Sequence, residues 1–177
     1  MLEATGEKSI IDRMIRAVRL EPQLYEEVEH DQSATGQALL VVVLGAIAGG
    51  IGALSGGIAG LIFGIIAALV GWAVYAFIAY WVGTNIFKGP QTEATWGQLL
   101  RALGFANSPR ILLVLAIIPV SVISGLVVLA VFIWVLFTTV IAIRQALDFD
   151  TWRAIATAVV SLLAQVVIYS VVFAIVV

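Results

Sequence analysis

The sequence predicts an all-α, polytopic integral membrane protein with five transmembrane helices and an N-terminal amphipathic helix at the membrane interface. Of its 177 residues, 62% are hydrophobic and only 11% are charged, whereas a soluble domain is about half apolar and about a quarter charged. The mean hydropathy is +1.12. Charged residues are confined to a few segments, and the uncharged stretches between these segments are long enough to cross a bilayer. These observations together define the fold class.

The first 36 residues form an amphipathic and acidic segment that we expect on the cytoplasmic side. Its apolar side chains recur at helical spacing, and this pattern suits either a helix in the membrane interface or one packed on its own bundle. The acidic run after Pro22, which includes His30, is more typical of a solvated surface than of a metal site. The residues on the apolar face are Ile10, Ile11, Met14, Ile15 and Val18.

Residues 37–177 form the predicted transmembrane domain. The apolar run 38–82 would be roughly 65 Å long as one helix, against a hydrocarbon core of about 30 Å. It must therefore fold back, and the sequence Ser55-Gly56-Gly57 favours a turn. The run 111–143 is also too long for one crossing and divides at Ser124-Gly125. The predicted spans are 37–54, 58–82, 108–123, 126–143 and 154–177.

The distribution of basic residues predicts the orientation. With five spans, the N-terminal segment, the loop 84–110 and the loop 144–153 share one face, and they carry all nine Lys and Arg residues. The positive-inside rule then places the N-terminus in the cytoplasm and the C-terminus outside, as expected for a multi-pass protein of the cell membrane. The side chains expected to anchor this face at the interface are Trp81, Trp96, Trp152 and Arg110.

Eight glycines lie in the stretch "GAIAGGIGALSGGIAGLIFG", residues 45–64. A phosphate-binding loop would need a strand before it or a lysine beside its Ser/Thr, and a flexible linker would leave backbone groups unsatisfied in lipid. Four-residue spacing instead predicts grooves in which another helix approaches closely, either from the same chain or from another. Gln165, an amide well inside a span, can also join two helices. The predicted packing glycines are Gly45, Gly49, Gly52, Gly56, Gly60 and Gly64.

Residues that carry chemistry are sparse. The chain has no cysteine and one histidine, and no ionisable side chain is expected deep in a span. This pattern argues against proton relays and ion-coupled transport, and against a catalytic nucleophile with its base. We predict no enzymatic activity, no catalytic residue, no metal site and no cofactor. The net charge of −2 provides no basic field for nucleic acid.

The order of the segments along the chain resembles that of a known protein family. The glycine-rich hairpin is followed by "TWGQLLRALGFANSPRILLVLAIIP" and "IWVLFTTVIAIRQALDFDTWRAIATAVVSLL", which contain Arg101, the stretch 106–109, Pro119 and Trp134. From about Met14 onward the chain resembles bacterial members of the Yip (Ypt-interacting protein) domain family. This resemblance implies a five-helix integral membrane protein, located in the bacterial inner membrane. Eukaryotic members associate with Rab-type GTPases, but the chain lacks their Asp-Leu-Tyr-Gly-Pro motif, so that role is not carried over.

The leading functional hypothesis is a non-catalytic scaffold or accessory subunit in the lipid bilayer. It predicts a homo-oligomer or a complex with another membrane protein. One alternative is a small channel or carrier for an uncharged solute, formed by the last three spans with Gln165 facing inward. Another is a membrane-shaping protein that acts through its interfacial helices.

Overall fold

Helices make up nearly all of the residues that the computed structural model describes, which are 9–51, 57–90, 92–118 and 121–176. Two short helices precede five apolar segments, and a 3₁₀ helix continues the third of these segments. The elements are α1 (Ile10–Val18), α2 (Pro22–His30), α3 (Ala34–Ile51), α4 (Gly57–Asn85), α5 (Trp96–Ala106), the 3₁₀ helix (Ser108–Ile117), α6 (Ser121–Ala146) and α7 (Thr151–Val176).

Four segments are long and apolar enough to cross a membrane. They are α4, α5 together with the 3₁₀ helix, α6 and α7, and the apolar helix α3 is shorter. Large apolar side chains are exposed on the outside of the bundle, for example Phe63 (73% exposed) and Ile175 (79%). Such a surface needs lipid around it. The predicted class, an all-helical polytopic membrane protein, is confirmed.

The helical conformation is interrupted at Ile118, so the predicted turn at Ser124-Gly125 was wrong. Ile118 is extended (φ −57°, ψ 124°) because the proline that follows it disfavours the helical conformation. Ser124 lies in the first turn of α6, and its hydroxyl donates to the carbonyl oxygen of Ile118 (2.7 Å). The helices 108–117 and 121–146 therefore replace the predicted spans 108–123 and 126–143.

Helix α5 is a core element rather than a surface helix. A capping box begins it: Thr95 accepts from the backbone N–H of Gln98, whose side chain accepts from the N–H of Thr95 (2.7 Å). Most of its later residues are buried against α2, α3, α4 and α6. The third apolar segment thus begins at Trp96, twelve residues before the predicted start of the third span.

The contacts of α3 and α4 set the helix directions. Along α3, Ala38 lies beside Gly104 and Gly49 beside Leu113, so α3 runs parallel to α5 and the 3₁₀ helix. Along α4, the hydroxyl of Tyr75 donates to the carbonyl oxygen of Ala158 (3.2 Å), while Gly71 lies beside Gln165 on α7. Helices α4 and α7 are therefore antiparallel.

Buried residues concentrate where α1 and α2 meet the bundle. Leu24, Tyr25 and Val28 of α2 are fully buried against Phe105 of α5 and Ile143 of α6. The distal part of α7 is exposed by contrast. The tightly packed core is thus at the end of the bundle that carries the N-terminal helices.

Candidate functional site

Gly45 and Gly49 on α3 face the 3₁₀ helix. A Cβ added at Gly45 would lie 3.0 Å from the Cβ of Arg110, and one at Gly49 would lie 3.4 Å from Cδ1 of Leu113. Glycine lets the two backbones approach at this distance. This first pair of predicted packing glycines therefore lies at an intramolecular contact.

The second glycine series has different surroundings. Gly52 and Gly56 lie outside the described residues. Around Gly60 and Gly64 on α4, the described part of the chain places no atom within 4 Å of an added Cβ. The face of α4 that carries Gly60 and Gly64 is thus left uncovered by the residues that the structure describes.

Arg13 is a buried cation that connects three helices. It is only 3% exposed. Its Nε donates to Oε1 of Glu27 (3.1 Å), its Nη2 to Oδ2 of Asp31 (2.6 Å) and its Nη1 to Oε1 of Gln37 (2.9 Å). The guanidinium therefore ties α1 to both ends of the α2–α3 connection. Sequence reasoning missed it, although Arg13 lies on the same helical stripe as Ile10, Met14 and Ala17.

Arg16 extends this ion-pair cluster, which comprises Arg13, Arg16, Glu21, Glu27 and Asp31. Its Nη1 donates to Oε2 of Glu27 (2.8 Å) and its Nε to Oε2 of Glu21 (3.1 Å), and the Glu27 carboxylate raises the pKa of Arg16. The Ser33 hydroxyl and then Arg13 hold the pKa of Asp31 below its usual range. These acids thus pair with the arginines of α1 rather than forming the expected solvated face.

Two side chains from the bundle bind the ends of the N-terminal helices. Nε of Arg101 donates to the carbonyl oxygen of Val28 (2.9 Å), and its Nη2 donates to that of Glu29. The indole N–H of Trp134 donates to the carbonyl oxygen of Val18 (2.9 Å). Each donor satisfies carbonyls that a helix C-terminus leaves unpaired. Arg101 and Trp134, two of the residues that carry the family resemblance, therefore fix α2 and α1 to the bundle.

The sequence of α1 suited either a helix in the membrane interface or a helix packed on its own bundle, and its two apolar sides differ in this respect. Ile10 and Met14 pack against the core cluster, whereas Ile11 is 66% exposed and Ile15 is 45% exposed. One side of the apolar face thus contacts the bundle, and the other side remains free to contact lipid.

Glu29 is a buried carboxyl group without a full set of partners. It is 6% exposed, and its Oε2 has no hydrogen-bond partner. Oε1 lies 3.3 Å from Nδ1 of His30. Burial raises the pKa of Glu29 to about 7, and the His30 charge opposes this shift. Glu29 is therefore the group that should couple stability to pH near neutrality.

We expect Glu29→Gln to stabilise the protein above pH 7. The folded pKa of about 7 exceeds the unfolded value of about 4.3, so the folded state retains a proton that the unfolded state loses. Wild-type stability should fall as the pH rises from about 4 to about 7, by up to roughly 4 kcal/mol. The variant should lack this fall in thermal unfolding followed against pH in detergent.

Glu26→Gln on the exposed side of α2 is the matched control, since it also removes one carboxylate. It should retain the wild-type pH profile. Identical profiles for Glu29→Gln and wild type would show that Glu29 does not titrate in this range.

A cavity of about 690 Å³ lies among α4, α5, the 3₁₀ helix, α6 and α7. Its walls are mostly apolar, and polar contributions come from Asn107, Arg110, Thr139 and Gln165. On α6 the lining residues extend from Val128 to Val140. This volume is typical of a small-molecule site.

Gln165 joins two helices at the wall of this cavity. Its Nε2 donates to the carbonyl oxygen of Gly71 on α4 (2.8 Å) and to the hydroxyl of Tyr169 (3.1 Å). Such interhelical bonds contribute about 1 kcal/mol in a membrane. Gln165 therefore both links two helices and lines the cavity, and these are the two roles that the sequence suggested.

Arg110 lies within the third apolar segment, Trp96–Ile117. It lies beside Gly45, the twelfth of the eighteen residues of α3, and shares the cavity wall with Val131 and Val135 from the middle of α6. Arg110 is the third residue of the 3₁₀ helix, and its side chain is exposed in the described structure. It therefore places an ionisable group within the third apolar segment, and its role as an interfacial anchor stays a prediction.

The three predicted tryptophan anchors lie in the terminal turns of their helices. Trp81 is in the last turns of α4, and Trp96 and Trp152 are in the first turns of α5 and α7. They are 50%, 44% and 80% exposed, respectively. The indole N–H of Trp96 also donates to the carbonyl oxygen of Ala73 (3.4 Å). Exposed indoles at this level suit an interfacial belt, which stays a prediction.

The five apolar helices, with an ordered N-terminal pair packed on them, define a multi-pass helical membrane protein. The family profile of the Yip1 domain matches residues 21–174. The chain therefore belongs to the Yip1 domain family, as its sequence resemblance indicated. No curated protein and no solved structure matches it.

Proposed function

We propose that this Yip1 domain protein is a non-catalytic membrane scaffold or accessory subunit. In this proposal a helix of a second copy, or of another membrane protein, packs along the α4 face that carries Gly60 and Gly64. The observation that carries the proposal is the contrast between two similarly spaced glycine pairs. Gly45 and Gly49 contact the 3₁₀ helix, whereas Gly60 and Gly64 have open space above them among the described residues.

Neighbouring contacts support this assignment of the free face. Helix α3 contacts α4 at Gly50, where an added Cβ would lie 2.7 Å from Cδ1 of Leu61, so the Gly60–Gly64 face is not the one that α3 covers. Helix α7 approaches α4 at Gly71, but its later residues, such as Phe173 (67% exposed), are uncovered. A small-residue face in lipid gains van der Waals contact when a partner helix covers it.

The non-catalytic part of the proposal is supported by what the charged residues do. The acids Glu21, Glu27 and Asp31 bind arginines of α1. The His30 ring is exposed, and its Nδ1–H donates to the carbonyl oxygen of Glu26 (2.8 Å). These groups act in holding helices together, which leaves no nucleophile and base in contact among them.

We further propose a bacterial inner membrane location with the N-terminus in the cytoplasm and the C-terminus outside. Contacts among the charged segments support a common face. Gln145 donates to Oε1 of Glu26 (2.9 Å), and an added Cβ at Gly89 would contact the guanidinium of Arg153. Basic residues gathered at one end of the bundle favour the cytoplasmic side for that end.

Cysteine crosslinking tests the scaffold proposal, because the natural chain contains no cysteine. In native membranes, Gly64→Cys should give a disulfide-linked dimer on oxidation, or a larger adduct with a cysteine-to-amine crosslinker. Ile66→Cys, exposed on another side of α4, is the matched control and should remain monomeric. Equal crosslinking at the two positions, or none at either, would contradict a specific interface at Gly64.

A carrier function is the second candidate, and the cavity beside Gln165 favours it. Solute flux into liposomes that contain the pure protein, compared with empty vesicles, tests this function. Arg110 in the cavity wall changes the class of ligand to consider, because an apolar site with a cation does not select an uncharged solute.

A further inference from the structure

The charge of the cavity comes from Arg110. It is the only charged side chain among the described residues that line the cavity. Neither a hydrogen bond nor an ion pair to its guanidinium is found within the part of the chain that the structure describes. Arg110 is exposed in the described structure, so its guanidinium is accessible to a ligand. A cation without a partner is costly within an apolar segment of a membrane protein, and such an ionisable residue indicates function. The missing partner is an anion.

The lining of the cavity is long. Its lining residues extend over about 18 Å of α6, from Val128 to Val140, and over about 15 Å of α7, from Ile155 to Gln165, at about 1.5 Å per residue. Both walls are apolar for most of this length. A cavity with apolar walls of this length fits an extended hydrocarbon chain better than a compact polar solute.

Several lining residues of α6 and α7 are exposed. Phe132 on α6 and Leu162 on α7 both line the cavity, and they are 57% and 43% exposed. Val159 on α7 is likewise a lining residue and is half-exposed. Because these side chains face the surroundings of apolar helices, a ligand enters from the lipid phase.

We propose that this cavity binds a single-chain anionic lipid, with its acidic head group paired to the Arg110 guanidinium and its acyl chain between α4, α6 and α7. The Asn107 side chain also lines the cavity, and its amide nitrogen, which donates one hydrogen to the carbonyl oxygen of Leu103, can donate the other to a head-group oxygen. A charge-assisted pair between a guanidinium and a carboxylate or phosphate is among the stronger polar interactions. The inference does not depend on the scaffold role, which uses the Gly60–Gly64 face.

Native mass spectrometry of the full chain in a neutral detergent tests the proposal. Binding of oleate is compared with binding of oleyl alcohol, which has the same chain without the charge. Wild type should bind oleate at least tenfold more tightly than the alcohol. Arg110→Gln should remove this preference, and Arg144→Gln, which changes an arginine near the end of α6 outside the cavity, should retain it.

Further measurements separate the contribution of the acyl chain from that of the head-group charge. Ala67→Phe, which fills the cavity from α4, should weaken binding of both oleate and oleyl alcohol by tenfold or more. Equal wild-type affinity for the two lipids, or a preference that survives Arg110→Gln, would overturn the proposal. So would displacement of oleate by equimolar inorganic phosphate, which would assign the site to a free anion. If Arg110→Gln does not fold, the wild-type comparison and Ala67→Phe decide the question.

Discussion

Gly104→Leu is expected to prevent formation of the native bundle, with a loss of stability of about 3 kcal/mol or more. A Cβ at this position alone would lie 2.6 Å from the Cβ of Ala38 and 3.1 Å from its Cα. The atoms in the way belong to the backbone and first side-chain carbon of α3, so no rotamer change can relieve the clash. Helices α3 and α5 would have to separate, which opens the core around Phe105.

Gly125→Leu is the matched control, because Gly125 lies on the exposed surface of α6 and nothing is within 4 Å of an added Cβ there among the described residues. The two variants are compared by heating in detergent and measuring the fraction that remains monodisperse in size-exclusion chromatography. Gly125→Leu should behave like wild type. Equal midpoints for the two variants would show that α3 and α5 are not in contact at Gly104.

Arg13→Met is expected to cost about 3–5 kcal/mol, the usual effect of removing one partner of a buried ion pair. The methionine retains much of the apolar bulk but leaves Glu27 and Asp31 without the guanidinium that binds them both. Because α1 is joined to α2 and α3 through this side chain, the N-terminal helix should also become accessible to protease. The measurements are thermal unfolding in detergent and cleavage of the N-terminal segment by proteinase K.

Arg19→Met serves as the control for Arg13→Met, since Arg19 is exposed at the end of α1. It should change the midpoint little, as surface charges contribute little to stability. If both variants unfold and are cleaved alike, the ion-pair cluster does not hold α1 in place.

Several features of the fold were readable from the sequence because they depend on local composition. Lipid-facing helices require long uncharged runs, and the first of these runs predicted α3 and α4 within a few residues of their observed ends. The second run was misdivided. Ser124-Gly125 has the composition of a turn, but the helix ends before Pro119. A proline disfavours the helical conformation of the residue before it, whereas a helix tolerates a serine–glycine pair at a modest cost.

The candidate sites were harder to predict because their residues are distant in the sequence. Arg13 meets acids 14 and 18 positions away, and Arg101 binds carbonyls more than 70 positions away. A hydrophobic pattern states which face of a helix is apolar, and it does not state what lies opposite that face. For this reason the sequence suggested an interfacial anchor at Arg110 and did not show that this residue lines a cavity with α6 and α7.

The sequence by itself determined that this protein is a helical membrane protein of the Yip1 domain family with five apolar helices, since hydropathy and segment order are properties of the chain alone. Only the tertiary structure decided which glycine pair is covered, which acids are neutralised, and that a cation lines an apolar cavity. The physical reason is that burial and pairing depend on the distance between helices, and that distance is set when side chains from all of them pack together.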